Sequence, residues 1–238
     1  MQAAPIKLAL PLLDGPEHPC AYLPGRTAKD VFCIDPTVDA AGYRKLMDAG
    51  YRRSGRIFYK PVCDGCRECV AIRVPVAEFV PSKSQRRVLR RNADVRVEVG
   101  RPRATDRKWE LFCAYQTDCH DGKMCDARGD FEHFLYDSPI ETLEFTYWIG
   151  RRLAGAGIVD ACPGCLSSVY FFYDPGESRR SLGVFSALRE IEECRRRRLA
   201  HWYIGFYVRA CASMNYKAGY RPFELLGADG GWRRSEER

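Results

Sequence analysis

The stretch Ser167-Ser168-Val169-Tyr170-Phe171-Phe172-Tyr173 constrains the fold more than any other part of the chain. It is a short run rich in aromatic residues, and it reads as a buried strand. Asp174-Pro175 breaks it. Arg179-Arg180-Ser181-Leu182-Gly183 then supplies basic residues and a small-residue turn that opens a helix. A strand, a break and a helix start in that order place backbone N–H groups and arginines where an anionic or polar substrate end can dock.

The segments around it extend the pattern. Residues 144–149, 153–160 and 168–173 read as three strands, with turns at Gly150-Arg151-Arg152 and Pro163-Gly164, so an antiparallel meander is expected. Leu182 to Leu199 reads as a helix with Val184, Phe185, Leu188, Ile191 and Cys194 on one face. A strand over 202–208, a short helix over 209–218 stopped at Gly219, an extended piece over 220–226 and a frayed tail over 228–238 complete this half. In the first half, 14–30 reads as a loop holding Cys20, and 39–50 as a helix ended by Gly50. Residues 56–59, 71–76 and 95–99 read as strands. Ser82 to Asn92 reads as a basic helix carrying Lys83, Arg86, Arg87, Arg90 and Arg91. Gly100-Arg101-Pro102-Arg103 interrupts the pattern, so a domain boundary is expected near residue 104, dividing 1–104 from 105–238. A helix starts at 106, capped by Thr105 or Asp106, and 119–130 reads as a polar loop. The class is α+β, a mostly antiparallel sheet flanked by helices, with a Cys-rich N-terminal domain.

The chain has 238 residues, enough for one large domain or two small ones. Hydrophobic residues are 46% and charged ones 29%, as in soluble globular proteins. No run of 18 apolar residues occurs, which argues against a membrane helix. Residues 2–13 are mildly apolar but lack the basic start and cleavage site of a signal peptide, so the cytoplasm is expected. The net charge is +7, from 38 Lys and Arg against 31 Asp and Glu. Arginine dominates, and its fork suits phosphate recognition.

Twelve cysteines without a secretory signal point to thiols or metal ligands rather than disulfides. Cys63-x2-Cys66-x2-Cys69 can hold a metal or one face of a cluster, with Cys20 or His18 as a distant fourth ligand. Three reduced cysteines in a tight loop is the plain alternative. Cys162-Pro163-Gly164-Cys165 falls on a hairpin turn, where Pro-Gly already has a structural reason. His120 between Asp118 and Asp121 resembles an acid–base group, although a solvated loop is the simpler reading. The run Arg195 to Arg198 fits a solvated helix end. Together with the basic helix and Arg52, Arg53 and Arg56, it also fits nucleic-acid binding. Trp202, Tyr203, Phe206, Tyr207, Tyr216 and Tyr220 are mainly core, with some free to line a pocket.

Several uncommon strings occur in one order. Gly50-Tyr51-Arg52-Arg53-Ser54-Gly55, Tyr59-Lys60-Pro61, Cys66-x2-Cys69, Arg73-Val74-Pro75-Val76 and Ser84-Gln85-Arg86-Arg87 resemble the N-terminal half of the aminoacyl-tRNA–protein transferases. Ser167 to Pro175, Arg180-Ser181-Leu182-Gly183 and Cys211-x2-Met214-Asn215-Tyr216-Lys217 resemble their C-terminal half. The length and Cys20-Ala21-Tyr22-Leu23-Pro24 are most similar to the bacterial aspartate/glutamate leucyltransferase branch.

The resemblance implies a fold related to the GNAT acyltransferases, with Arg180 to Gly183 meeting the 3′ end of an aminoacyl-tRNA. It implies transfer of leucine from Leu-tRNA to the N-terminal Asp or Glu of a protein, which marks that protein for N-degron degradation. The attacking α-amine has a pKa of about 7.7–8.0, so positioning can supply most of the acceleration without a covalent intermediate. Arg52, Arg53 and Arg73 are the candidates to pair the acceptor carboxylate. The Ser181 to Gly183 amides or the Tyr170 hydroxyl would polarise the ester carbonyl, and Glu144 or Asp174 would take the amine proton. Arg86, Arg87, Arg180, Ser181, Gly183 and Lys217 would bind the tRNA. Transfer needs no cofactor, and Cys20, Cys63, Cys66 and Cys69 are the place for a zinc or iron–sulfur centre. Arginyl transfer from Arg-tRNA, acyl-CoA-dependent N-acylation and non-catalytic RNA binding are the competing functions.

Overall fold

The computed structural model describes residues 11–120, 122 and 124–235. The expectation about residues 2–13 therefore lies mostly outside the described residues, as do Asp121 and the last three positions of the tail. In chain order the first half comprises β1 (Leu12–Asp14), β2 (His18–Pro19), β3 (Thr27–Ala28), β4 (Asp30–Cys33), α1 (Ala40–Asp48), β5 (Arg52–Ser54), β6 (Ile57–Pro61), β7 (Val70–Pro75), α2 (Lys83–Arg91) and β8 (Val95–Gly100). The second half comprises α3 (Asp106–Cys119), α4 (Arg128–Leu135), β9 (Thr142–Ile149), β10 (Arg152–Cys162), β11 (Cys165–Tyr173), α5 (Leu182–Arg196), β12 (His201–Tyr207), α6 (Ala212–Asn215), β13 (Glu224–Leu226) and β14 (Trp232–Arg234). One 3₁₀ turn, Pro175–Arg180, precedes α5, and another, Tyr216–Gly219, follows α6.

An eight-stranded sheet in the order β14-β13-β7-β12-β11-β10-β9-β8 dominates the molecule. Its neighbours are antiparallel except β11 and β12, which run parallel and are joined through α5. The meander expected over 144–173 is present as β9, β10 and β11. The boundary expected at residue 104 does not divide this sheet. β7, from the first half, lies between β12 and β13, and β8 forms the far edge. A four-stranded sheet, β1-β4-β6-β5, packs beside it with α1. A two-stranded sheet of β2 and β3 adds to these, so the first half contributes to three sheets, and Cys20, Cys63, Cys66 and Cys69 sit in its loops.

Local chemistry sets the helix starts. Asp39 caps α1 by accepting from the Gly42 N–H at 2.8 Å. Ser82 and Gln85 form a reciprocal capping box on α2. α5 is buried over Leu182, Phe185, Leu188, Ile191 and Cys194, as its apolar spacing requires. The expected frayed tail is corrected. Trp232–Arg234 pairs with β13, because the Trp232 ring packs edge-on to Tyr203 at 5.6 Å and under the Arg73 guanidinium at 4.2 Å. The expected polar loop ends at α4, whose Phe131 and Leu135 are buried in a third apolar cluster with Phe112 and Phe172.

The β11–β12 ladder stops at Ser167 and Tyr203. Beyond it, β11 shifts register between the Ser168 and Tyr170 pairings, leaving Val169 unmatched, and β12 shifts between Tyr203 and Phe206 around Gly205. The two strands part there, and the space between them holds the site.

Candidate active site

A cavity of about 500 Å³ opens between the parted strands. Ser168, Val169 and Tyr170 line one wall from β11, and Trp202, Gly205 and Phe206 another from β12. Gly183, Ser186 and Glu190 reach it from α5. The opening strand is thus only half-buried over Ser168–Phe171, because that part faces the cavity instead of the core.

Arg52 enters from β5 and is 7% exposed. Its Nη2 donates to the Ser168 carbonyl at 2.5 Å, while its Nη1 is buried with no hydrogen-bond partner. Lys217 approaches from the other side, also 7% exposed, and donates to the Phe206 carbonyl at 2.8 Å. Burial, and then the charge of Arg52, pull the Lys217 ammonium down to about 7. Gly205, at φ +89°, makes room for both. A Cβ there would stand 3.5 Å from Lys217 Nζ and 3.8 Å from Arg52 Nε. Among the described residues no carboxylate pairs with either cation. A buried arginine with an orphaned N–H beside a half-discharged lysine has the chemistry to receive an anion.

The other two arginines expected at the acceptor site are committed elsewhere. Arg53 touches the cavity wall, but its guanidinium is fully buried against Asp160, with two contacts of 2.8 Å, and donates to the Gly55 carbonyl at 2.7 Å. Arg73 lies outside the cavity, bonded to Glu224 at 2.6 Å, Asp48 at 3.1 Å and the Tyr203 hydroxyl at 2.9 Å. Both are engaged in pairs that hold the framework together.

The expected proton acceptors are also placed elsewhere. Glu144 is buried behind β9, receiving Lys108 Nζ at 2.5 Å and the Tyr136 hydroxyl at 3.0 Å. Asp174 caps the 3₁₀ turn through the Gly176 N–H at 3.0 Å and pairs with Arg152. Neither lines the cavity. Tyr170 does, its hydroxyl held by Gln116 Nε2 at 2.6 Å.

Of the residues expected to bind tRNA, Gly183 and Lys217 line the cavity. Ser181 does not line it and holds a left-handed conformation, φ 56°, as the residue before α5. Arg180 is bonded to Asp94 at 2.8 and 3.0 Å and to Glu177 at 2.8 Å, so it ties the turn to the β8 side of the molecule. Arg86 and Arg87 are exposed on α2. The run at 195–198 is structural in part: Arg195 bonds the Val76 carbonyl, and Arg196 and Arg197 clasp Glu193, which they pull down to about 2.

The four expected metal ligands share one neighbourhood. Burial, and then the nearby Cys20, Cys63 and Cys66, push the Cys69 thiol up to about 12. Cys20 Sγ accepts the Leu23 N–H and Cys63 Sγ the Lys29 N–H, both at 3.4 Å. Among the described residues, however, no three His, Cys, Asp or Glu side chains are arranged to hold a metal ion. None of these thiols lines the cavity, although Tyr22 of the same loop does.

Glu190 was not legible as a site residue, nor were Ser168 and Ser186. The one available signal was their spacing: Ser186 and Glu190 lie four apart on α5, on the side of the helix that is buried, although Arg189, Glu192 and Glu193 beside Glu190 mask it. His120 ends α3 against the Tyr115 ring at 5.4 Å and touches the cavity, which the loop reading had set aside. Among the aromatics, Trp202, Phe206, Tyr216 and Tyr220 line the cavity, whereas Tyr203 and Tyr207 belong to the cores behind it.

Residues 18–87 match the family described as arginine-tRNA-protein transferase, N terminus, and residues 107–227 match its C terminus. The aspartate/glutamate leucyltransferase of Pseudomonas fluorescens (strain SBW25) is 41% identical over 214 residues, covering 88% of this chain and 90% of its own. That of Hahella chejuensis is 37% identical over 218 residues, covering 90% and 93%. Among solved structures, FemX aligns with a TM-score of 0.43 at 9% identity, covering 68% of this chain and 59% of its own. L-PGS from Bacillus licheniformis aligns with a TM-score of 0.42 at 10% identity, covering 70% and 50%. With both family halves matched in order across the chain, this protein belongs to the arginine-tRNA-protein transferase family.

Proposed function

We propose that the protein transfers leucine from Leu-tRNA to the α-amine of proteins that begin with Asp or Glu, marking them for N-degron degradation. The observation that carries this reading is the buried Arg52, with an unpaired Nη1 and Lys217 beside it. An acceptor's side-chain carboxylate supplies the charge these two lack, and its amine then lies deep in the cavity. The cavity's apolar surface, including Val169, Phe206 and Met214, suits a leucyl side chain. An arginyl donor would call for a carboxylate for its guanidinium, and Glu190 is the sole acidic residue among the described lining residues.

The amide forms as the amine attacks the ester carbonyl, with Tyr170 and the first amides of α5 near Gly183 as the groups to steady the oxyanion. Holding both reactants in one cavity supplies most of the acceleration. The ester is already activated, so the transfer is read as needing no cofactor. A zinc or iron–sulfur centre on Cys20, Cys63, Cys66 and Cys69 would serve the Tyr22 loop rather than the chemistry. The fold is read as GNAT-like, on the parallel β11–α5–β12 unit whose strands part beyond Ser167 and Tyr203. Exposed Arg86 and Arg87 would meet the tRNA backbone. No helix among the described residues is long and apolar enough to cross a membrane, and the cytoplasm, where aminoacyl-tRNA is available, is the expected compartment.

The test uses purified protein, Leu-tRNA or Arg-tRNA labelled in the amino acid, and peptides beginning Asp, Glu, Lys or Ala. The reading expects label from Leu-tRNA on the Asp and Glu peptides alone. Transfer from Arg-tRNA, or acylation from acetyl-CoA without tRNA, would overturn it.

A further inference from the structure

Glu190 is the only acidic side chain among the described residues that line the cavity, and it is 2% exposed. It projects from the middle of α5 into the gap where β11 and β12 part. Its Oε2 accepts the Trp202 indole N–H at 2.8 Å, and its Oε1 accepts the Ser186 hydroxyl at 3.2 Å. The Tyr147 hydroxyl lies 2.9 Å from Ser186 Oγ, extending the chain across the sheet. Ser168 lines the same cavity, and its hydroxyl is near enough to favour the ionised Glu190 carboxyl. The carbonyl of that same residue accepts Arg52 Nη2.

Ser168 therefore separates the anion receptor from the buried carboxyl by a single residue. In an N-terminal Asp or Glu, the side-chain carboxylate and the α-amine hang from one short stem. With the carboxylate on Arg52, the amine falls beside Ser168 and Glu190. Building on the leucyl-transfer reading, we infer that Glu190 is a catalytic residue, the proton acceptor for the attacking α-amine.

The step balances within the site. The amine nitrogen bonds the leucyl carbonyl carbon and gives its proton to Glu190. The ester C–O bond then breaks, and the departing ribose oxygen takes that proton back as a hydroxyl. Burial raises the Glu190 carboxyl to about 7, where a base accepts and returns a proton with little loss either way. The titratable groups its charge reaches are Tyr147 on β9, Tyr216 and Tyr220 beyond α6, and Cys194 on its own helix. None of these is a cation, and the cavity's own cations, Arg52 and Lys217, are bonded to the Ser168 and Phe206 carbonyls instead of to Glu190. The α5 cation Arg189 is turned to Glu192 at 2.6 Å.

The experiment measures leucyl transfer to an Asp-peptide against pH for the wild type, Glu190→Gln and Glu190→Asp. Glutamine keeps an oxygen for Trp202 but cannot take the proton. The expected result is a fall in kcat of about 10²–10⁴-fold in Glu190→Gln, with acceptor KM changed by less than about threefold. The wild-type limb near pH 7 should vanish in Glu190→Gln and persist in Glu190→Asp. Denaturant unfolding gives a second readout. The folded carboxyl titrates above its ordinary range, so its contribution is present at pH 4 and lost as pH rises through about 7. Glu190→Gln should remove that slope. A Glu190→Gln enzyme with near-normal kcat, or a reduced one with the pH 7 limb intact, overturns the role while leaving leucyl transfer standing. A Glu190→Asp enzyme without the limb overturns it equally if Glu190→Gln does not fold. A wild type inactive with Leu-tRNA sinks the transfer reading first, and this role with it.

Discussion

Arg52 and Lys217 meet over Gly205, each within 4 Å of the point where a Cβ would stand on that glycine. Two buried cations this close repel, and among the described residues no carboxylate pairs with either. The repulsion is eased because Lys217 gives up its proton readily, and on the proposed reading an acceptor brings the missing charge.

The pH dependence of acceptor binding follows from Lys217. Its folded pKa, about 7, lies well below the ordinary lysine value. The ammonium is present below pH 7 and lost above it, so binding of an Asp-peptide should weaken between pH 6.5 and 8.5. Titration calorimetry with the peptide and no tRNA checks this, and Lys217→Met should flatten the trend. Stability runs the opposite way. Between the folded and unfolded pKa values the unfolded chain binds more protons, so stability rises with pH across that window. Lys217→Met should unfold at higher denaturant than wild type at pH 7.

Arg53 sits one position from Arg52 and should behave differently. Removing it strands Asp160 in the core, so Arg53→Ala should cost about 3–5 kcal/mol of stability. Replacing both partners, as Arg53→Met with Asp160→Leu, should recover much of that loss. Urea unfolding of the three variants distinguishes a framework pair from a binding residue. Equal stability of wild type and Arg53→Ala would remove the framework role.

Gly205→Ala tests the close approach. A side chain at φ +89° carries backbone strain of about 1–3 kcal/mol, and its methyl lies against both cations. Acceptor KM should rise more than Leu-tRNA KM. An equal change in the two would place Gly205 away from the acceptor.

Arg86 and Arg87 should act on tRNA alone. Replacing both with Ala should raise the KM for Leu-tRNA and reduce the slope of log K against log salt by about 1–2. The peptide KM should stay unchanged. A salt slope equal to wild type would take α2 off the tRNA path.

Much of the frame was legible because it rests on short-range pattern. The β9–β11 meander follows from strands parted by Gly150 and Pro163-Gly164, and the buried face of α5 follows from its apolar spacing. The sheet's full extent was not legible. The insertion of β7 between β12 and β13 is a long-range pairing with no local signature, so a boundary at 104 looked reasonable. The site divided along the same line. Arg52 and Arg53 are adjacent and alike in sequence, and only the fold decides that Asp160 claims one and leaves the other open. Glu190 was hidden by its helix, where it stands in the charged run Arg189-Glu190-Ile191-Glu192-Glu193 and reads as part of a solvated face until β11 and β12 part around it.

The central claim is that Arg52 reads the acceptor's negative side chain. The direct measurement is the ratio of kcat/KM for peptides beginning Asp and Asn, in wild type and in Arg52→Met, with Leu-tRNA as donor. Arg52→Met should lose about 10²-fold on the Asp-peptide and little on the Asn-peptide, so the ratio collapses towards one while the KM for Leu-tRNA holds. A preserved Asp-over-Asn preference in Arg52→Met would contradict the account and place the acceptor pocket elsewhere.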